Sequence, residues 1–292
     1  MFDTGSIFEA HSVQEAIRLL DSHPGAKLIC GGTDVLIQVR AGRLAGVDLV
    51  SINGLPELTG VSMEDDGTIV IGPATSFSHI TKNPIIQQHL PFLGQAVDLV
   101  GGPQIRNMGT IGGNICNGAT SADSASTLFA LNAKLRIANS RGERVVPIQE
   151  FYLGPGKVAL EQGDVLTQIL IKKEDYKGFG GYYIKYAMRK AMDIATLGCV
   201  VLCKVKDKNI LEDVRLAFGV AAPTPIRVPA AEAVAKGQPF SEELVEQFGK
   251  AALTEVNPRT SWRASREFRL QLVEELSKRA LRQAFSNAGG EC

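Results

Sequence analysis

Three stretches of this chain hold residues whose types and spacing suit a phosphate-bearing ligand. The first is Cys30-Gly31-Gly32-Thr33-Asp34, directly after the apolar Lys27-Leu28-Ile29 and before Val35. Adjacent glycines let peptide N–H groups approach an anion without side-chain obstruction, and Thr33 adds a hydroxyl donor. Asp34 repels phosphate unless its oxygens turn to the backbone, so the motif reads equally as a strand-to-helix turn capped by Asp34. The second runs from Gly109 through Thr110, Ile111, Gly112, Gly113, Asn114 and Asn117 to Asp123. A loop so long and so poor in large side chains is costly to order without a ligand. It offers N–H donors, amides and one carboxylate suited to a sugar hydroxyl. Its other reading is glycine-rich β structure with close backbone packing. In the third, residues 185–195, Lys185 and Arg189 alternate with apolar residues and so share a strand face. A lysine there reaches a pyrophosphate or a ring oxygen, or it lies on a solvated sheet edge.

Other chemistries find no support. GxGxxG and GxxxxGK[ST] are both missing, which disfavours a Rossmann or P-loop site. No Ser/His/Asp set, GxSxG elbow or paired carboxylates stand out. The four histidines have no metal-ligand spacing, and the five cysteines form no CxxC, so no metal site is read. Cys199 and Cys203 sit in a β-branched run and face the same side of a strand. No catalytic residue is assigned: if the chain is an enzyme, the reactive atoms belong to a cofactor. The balance of 31 basic and 31 acidic residues argues against nucleic acid or anionic lipid as a partner. No run approaches the roughly 18 apolar residues of a membrane span, and no leader is evident, so a soluble cytoplasmic protein is expected.

The positioning elements follow from periodicity and caps. Ser12 and Glu15 make a capping box for a helix over Ser12–Leu20. Lys27–Cys30 and Asp48–Ile52 read as strands, with Val35–Arg40 a helix or strand between them. The first 55 residues are thus a small α/β unit with its glycine turn at the end of a strand. Over 56–176, a hairpin at Asp65-Asp66-Gly67 precedes helices at Phe77–Thr81 and Pro91–Val100. The glycine stretch 101–118 leads to a helix over Ser124–Leu131 with Asp123 at its start. Strands follow at Ala133–Ala138, Glu143–Val146 and Val165–Ile171. A boundary falls in 172–181. Beyond it, strands at Tyr182–Arg189, Cys199–Val205 and Val214–Val220 precede helices at Ala230–Lys236, Glu242–Val256 and Ser265–Phe285. The fold class is α+β, in domains 1–176 and 177–292. From residues alone the reading ends at a phosphate- or dinucleotide-binding α+β protein.

Taken together, LICGGTDVLIQVR (28–40), RNMGTIGGNICNGATSADSA (106–125), GDVLTQI (163–169), KYAMRKAMDIA (185–195) and SWRASREFRLQLVEELSKRAL (261–281) resemble the FAD-binding medium subunits of the molybdenum hydroxylases. The bacterial xanthine dehydrogenase branch is the nearer likeness. The resemblance implies a two-subdomain vanillyl-alcohol-oxidase/PCMH-type FAD domain and a smaller C-terminal domain with a three-stranded sheet and helices. It implies FAD held by Lys27 to Val35 and by Gly109 to Asn114. Asn117 and Asp123 would add polar contacts, Asp123 accepting from a cofactor hydroxyl. Val165 or Leu166 would meet the flavin through backbone, and Lys185 would lie near the FAD.

The resemblance also implies an electron-transfer role with NAD⁺ as acceptor and purine as the substrate of the complex. Molybdopterin would sit in a large partner subunit and two [2Fe–2S] clusters in a small one, as a heterotrimer or a dimer of heterotrimers. Nicotinate, aldehyde or carbon monoxide complexes stay open. So do a self-sufficient flavin oxidoreductase, which needs an acid/base group that is not evident, and a cofactor-less assembly module.

Overall fold

The structure is a computed structural model and describes residues 3–291. Its first unit is a parallel sheet ordered β1-β3-β2, from β1 (Thr4–Glu9), β2 (Lys27–Ile29) and β3 (Val47–Ser51). β1 lies outside the sequence-based reading because no apolar alternation marks it: most of its side chains are exposed, Ile7 among them. α1 (Val13–Ser22) is capped by Ser12, whose Oγ accepts from the Glu15 N–H at 3.1 Å. Glu15 reaches back to the His11 N–H at 2.8 Å, one residue before the Ser12 N–H that a capping box uses. The glycine turn follows the C-terminal end of β2 and leads into α2 (Val35–Arg40).

The second unit is an antiparallel sheet ordered β4-β5-β10-β6-β7. Its strands are β4 (Val61–Met63), β5 (Ile69–Ile71), β6 (Lys134–Asn139), β7 (Gly142–Pro147) and β10 (Val165–Ile171), with β8 (Tyr152–Gly154) and β9 (Lys157–Val158) as a side hairpin. Between β5 and β6 run α3 (Phe77–Lys82), α4 (Pro84–His89), α5 (Pro91–Asp98), α6 (Pro103–Met108), α7 (Ile111–Cys116) and α8 (Asp123–Ala130); α9 (Ile148–Phe151) follows β7. The expected long loop is therefore corrected, because two short helices occupy it. Pro103 presets the backbone at the first turn of α6, and Thr110 caps α7 by accepting from the Gly113 N–H at 3.2 Å.

Asp164 pins the start of β10 to the β6–β7 hairpin. It accepts from Asn139 Nδ2 at 2.8 Å, Arg144 Nη1 at 2.9 Å and the Glu161 N–H at 2.7 Å. Burial raises its carboxyl, but the Arg144 guanidinium, the Glu161 N–H and the Asn139 amide outweigh this and hold it below the usual carboxylate range. The folded form is thus stabilised above the unfolded pKa of about 3.9, and the gain is lost as pH falls through the depressed folded value. Asp164→Asn is expected to cost about 2 kcal/mol at neutral pH, from charge-assisted hydrogen bonds. Denaturant midpoints should show that penalty shrinking in acid, because the unaltered chain loses the same contribution there.

After α10 (Lys173–Tyr176) the third unit is an antiparallel sheet of β11 (Gly180–Tyr186), β12 (Leu197–Lys206), β13 (Ile210–Gly219) and β14 (Ile226–Arg227). The two-residue β14 extends the expected three strands to four. α11 (Pro229–Ala235), α12 (Glu242–Ala251) and α13 (Arg266–Asn287) complete it, with Ser265 capping α13 through the Phe268 N–H at 3.2 Å.

This sheet is a middle layer. Cys199, Val201 and Cys203 of β12 face the core under α11–α13, while Val200 and Leu202 face the core built from α5 and α8. A strand buried on both faces reads as a continuous apolar run, which is why GCVVLCKV shows no polar alternation. The two cysteines do share a side, and burial pushes their thiols up, that of Cys203 to about 12.

Candidate functional site

The first glycine loop packs directly on the second segment. A Cβ on Gly31 would stand 1.7 Å from the Met108 carbonyl oxygen, so only glycine lets the two backbones meet. Gly32 has φ +69, the left-handed region that turns β2 into α2. Thr33 faces Gly109, and Cys30 lies beside Thr110 and Asn53. The peptide N–H groups of Gly32, Thr33, Asp34 and Val35 donate to no acceptor among the described residues. Four successive unpaired donors are of the kind that can serve an anion. Asp34 makes no cap hydrogen bond; its carboxylate accepts from Gln38 Nε2 instead.

The second segment contributes differently from what its glycines suggest. The N–H groups of Gly109, Ile111, Gly112, Gly113 and Asn114 all donate within the protein, to Ile105 O, Thr75 O, Pro73 O, Thr110 Oγ1 and Thr110 O. Gly112 is present for packing, since a Cβ there would stand 2.4 Å from Pro73 Cβ. Gly113 is exposed on α7. Asn114 Oδ1 accepts from Ser124 Oγ at 2.7 Å, which ties α7 to the start of α8, and Asn117 ends α7.

Asp123 opens α8 and is 6% exposed. α8 packs against the third sheet, and its first residue meets Tyr183 and Lys185 of β11. Lys185 Nζ lies 2.8 Å from Asp123 Oδ2 and 2.8 Å from the Leu99 carbonyl oxygen. The Lys185 side chain is only 8% exposed, which rules out the solvated-edge reading. Tyr183, two residues earlier on the same strand face, donates to Asp123 Oδ1 at 2.8 Å. Burial pushes the Asp123 carboxyl up, opposed by Lys185 and Tyr183, while burial and Asp123 push the Tyr183 phenol well up and keep it a donor. Tyr183 was not a sequence candidate. Its two-residue offset from Lys185 was the available signal, but only tertiary packing shows what it touches.

Arg189 does not share the Lys185 face. β11 ends at Tyr186, and Arg189 closes the following loop on itself through Asp193 and the Met192 carbonyl. The Val165 side chain is buried in the core of the first unit and that of Leu166 in the second, and both residues pair with β6. Lys27 is exposed, and Leu28 and Ile29 are half-buried on β2.

Two clusters are thus linked through one segment: unpaired backbone donors at 32–35, where Thr33 lies beside Gly109, and a buried carboxylate–lysine pair at 123 and 185. The chain from Thr110 through Asn114 and Ser124 joins them on one side. The chain from Leu99 to Met108 joins them on the other. Donors for a pyrophosphate and an acceptor for a sugar hydroxyl fit a dinucleotide.

The sequence belongs to a class with that architecture. Residues 2–172 match the FAD binding domain in molybdopterin dehydrogenase, and residues 182–284 match the CO dehydrogenase flavoprotein C-terminal domain. The chain belongs to the FAD-binding medium subunits of the molybdenum hydroxylase family. It is 46% identical over 291 residues to the xanthine dehydrogenase FAD-binding subunit of Escherichia coli O157:H7, covering 100% of this chain and 99% of the relative. The nicotinate dehydrogenase FAD-subunit of Eubacterium barkeri is 30% identical, with 82% of each chain covered. The carbon monoxide dehydrogenase of Hydrogenophaga pseudoflava superposes with a TM-score of 0.92 at 32% identity, covering 98% of this chain and 99% of that one. Among the described residues no helix is long and apolar enough to cross a membrane.

Proposed function

We propose that this chain is the FAD-carrying electron-transfer subunit of a xanthine dehydrogenase-type molybdenum hydroxylase. Electrons arrive from the [2Fe–2S] clusters of a small partner subunit and leave to NAD⁺. Purine is oxidised at molybdopterin in a large partner subunit. The observation that carries the reading is the full-length likeness to a xanthine dehydrogenase FAD-binding subunit, set on a site that can hold a dinucleotide.

Bound FAD supplies the two-electron chemistry. The chain's own part is to hold and orient. The free N–H groups of Gly32 to Val35 take the pyrophosphate. Gly31 lets that loop close on Met108, where a Cβ would collide with backbone. Asp123 accepts a hydroxyl, and Lys185 places a positive charge in a water-poor site where its field is strong.

Purified chain loaded with FAD should be yellow and bleach with NADH. It should oxidise no purine until both partner chains are added. Purine turnover by the chain alone would sink the reading in favour of a self-sufficient enzyme. Restoration of nicotinate or aldehyde turnover, without purine turnover, would reassign the complex.

Exposed apolar side chains flank the site: Met108, Tyr186, Met188 and Met192, with Met192 against Gly102 and Leu99 beside Lys185. Exposed apolar side chains beside a site mark a docking face, and methionines suit adaptable contacts. The iron–sulfur partner is its proposed occupant, because that chain must deliver electrons at this site. Met188→Asp with Met192→Asp is expected to weaken assembly about thirtyfold, the size of a hot-spot loss. Sedimentation of the mixed chains checks this, with FAD content unchanged.

A further inference from the structure

Asp123 has two protein partners on one strand face, and they differ in rigidity. Tyr183 is 2% exposed, its ring set in the core beneath α5 and α8. Gly198 on the neighbouring strand makes room for it, since a Cβ there would stand 2.9 Å from the phenol oxygen. Lys185 reaches Asp123 on a flexible four-carbon stem and already divides its ammonium between Asp123 and the Leu99 carbonyl. One donor is fixed by packing and the other can turn.

We propose that Tyr183 is a positioning residue for the cofactor site: its phenol holds Asp123 Oδ1, so that Oδ2 and Lys185 stay available to the bound FAD. This rests on the FAD reading above. A carboxylate has about four lone-pair sites, and Tyr183 and Lys185 fill two. Without the phenol, Oδ1 is buried with no fixed donor. The carboxylate is then held by Lys185 alone, and it loses its orientation whenever Lys185 turns to the cofactor. With the phenol in place, Asp123 keeps its orientation even when Lys185 swings to the ligand.

The bland account is that Tyr183 fills the core and merely satisfies its own hydroxyl. Tyr183→Phe separates the two, because it keeps the ring and removes only the O–H. FAD affinity of the full chain would be read by flavin fluorescence titration for the unaltered protein, Y183F, D123N and the double variant, with thermal melts alongside. Y183F should bind FAD about tenfold more weakly, the loss of one hydrogen bond to a charged group. On the D123N background the loss should shrink to less than about twofold, because residues acting through one another are not additive. The midpoint potential of the bound flavin should likewise be displaced by Y183F in the unaltered protein and not on D123N.

Should D123N fail to fold, K185M serves as the background. There Tyr183 is the remaining holder, and Y183F should cost more than it does alone. Equal FAD affinity in Y183F overturns the proposal. So does an undiminished loss on D123N, or a loss on K185M no larger than on the unaltered chain. An unaltered chain that takes up no FAD overturns this proposal and the FAD reading together, whereas uptake with an indifferent Y183F overturns this one alone.

Discussion

Gly31→Ala is expected to yield a colourless protein. The added methyl carbon would lie 1.7 Å from the Met108 carbonyl oxygen and 2.6 Å from its carbon. Both are backbone atoms at the end of α6, and they cannot swing aside as a side-chain tip can. Either the first glycine loop lifts off or α6 moves. In both cases the loop that carries the free N–H groups of residues 32–35 leaves Met108 and Gly109, and the pyrophosphate loses its cradle. Overpacking of this kind costs about 3 kcal/mol of stability.

The more specific signature is the loss of stabilisation by ligand. FAD at a hundred times its dissociation constant adds about 2.7 kcal/mol to a chain that binds it, and G31A should gain nothing. Gly154→Ala is the matched control, because a Cβ there has open space around it. Absorbance per chain and melting with and without FAD decide the matter. A yellow G31A with the parent's melting shift would show that the contact between the loops does not make the site.

Arg215→Met is expected to cost about 4 kcal/mol, within the range for removing one partner of a buried ion pair. Arg215 of β13 is 8% exposed and lies over the Phe179 ring at 4.4 Å. Its Nη1 donates to the Ala130 carbonyl at 3.0 Å and lies 3.2 Å from Asp175 Oδ1. Burial lowers its pKa and Asp175 opposes the shift, so removal of the guanidinium leaves the buried Asp175 carboxylate without its counter-charge, with the Asn132 amide at 2.7 Å as its remaining side-chain donor. Ala130 is the last residue of α8, and Asp123 is the first. The helix is thus held at one end by Arg215 of β13 and at the other by Tyr183 and Lys185 of β11. Freeing its far end should weaken FAD binding as well as fold stability. Arg215→Lys should not rescue either, since Nη1 serves Ala130 and Asp175 while Nε lies 3.8 Å from Asp213 Oδ2, a span that one ammonium cannot cover. Denaturant unfolding and FAD titration of both variants test this. A methionine variant within about 1 kcal/mol of the parent would show that the seam holds without the arginine.

What the sequence disclosed was local. Ser12 and Ser265 announced their helices through hydrogen bonds that span three residues. Asp123 was legible as a helix start, and Cys199 and Cys203 fell on one face because strands alternate. Features that depend on a distant partner were not legible. β1 is recruited by β3, over forty positions away in register, with hardly an apolar side chain to mark it. Gly109 and Gly112 looked like donors to a ligand, yet their amides serve Ile105 and Pro73. Arg189 seemed to continue the Lys185 strand, but the strand had ended. Tyr183 and Arg215 looked like ordinary strand residues until α8 lay across them.

The third sheet has no face of its own to spare. From Cys199 to Cys203 each position of β12 answers to one core or the other, so the C-terminal half is a shared wall and cannot be treated as an appended module. Neither half can be exchanged for a relative's without rebuilding the other, and a change of volume at Val200 or Val201 is felt on opposite sides of one backbone. Cofactor site and C-terminal helices are coupled through a single layer of side chains.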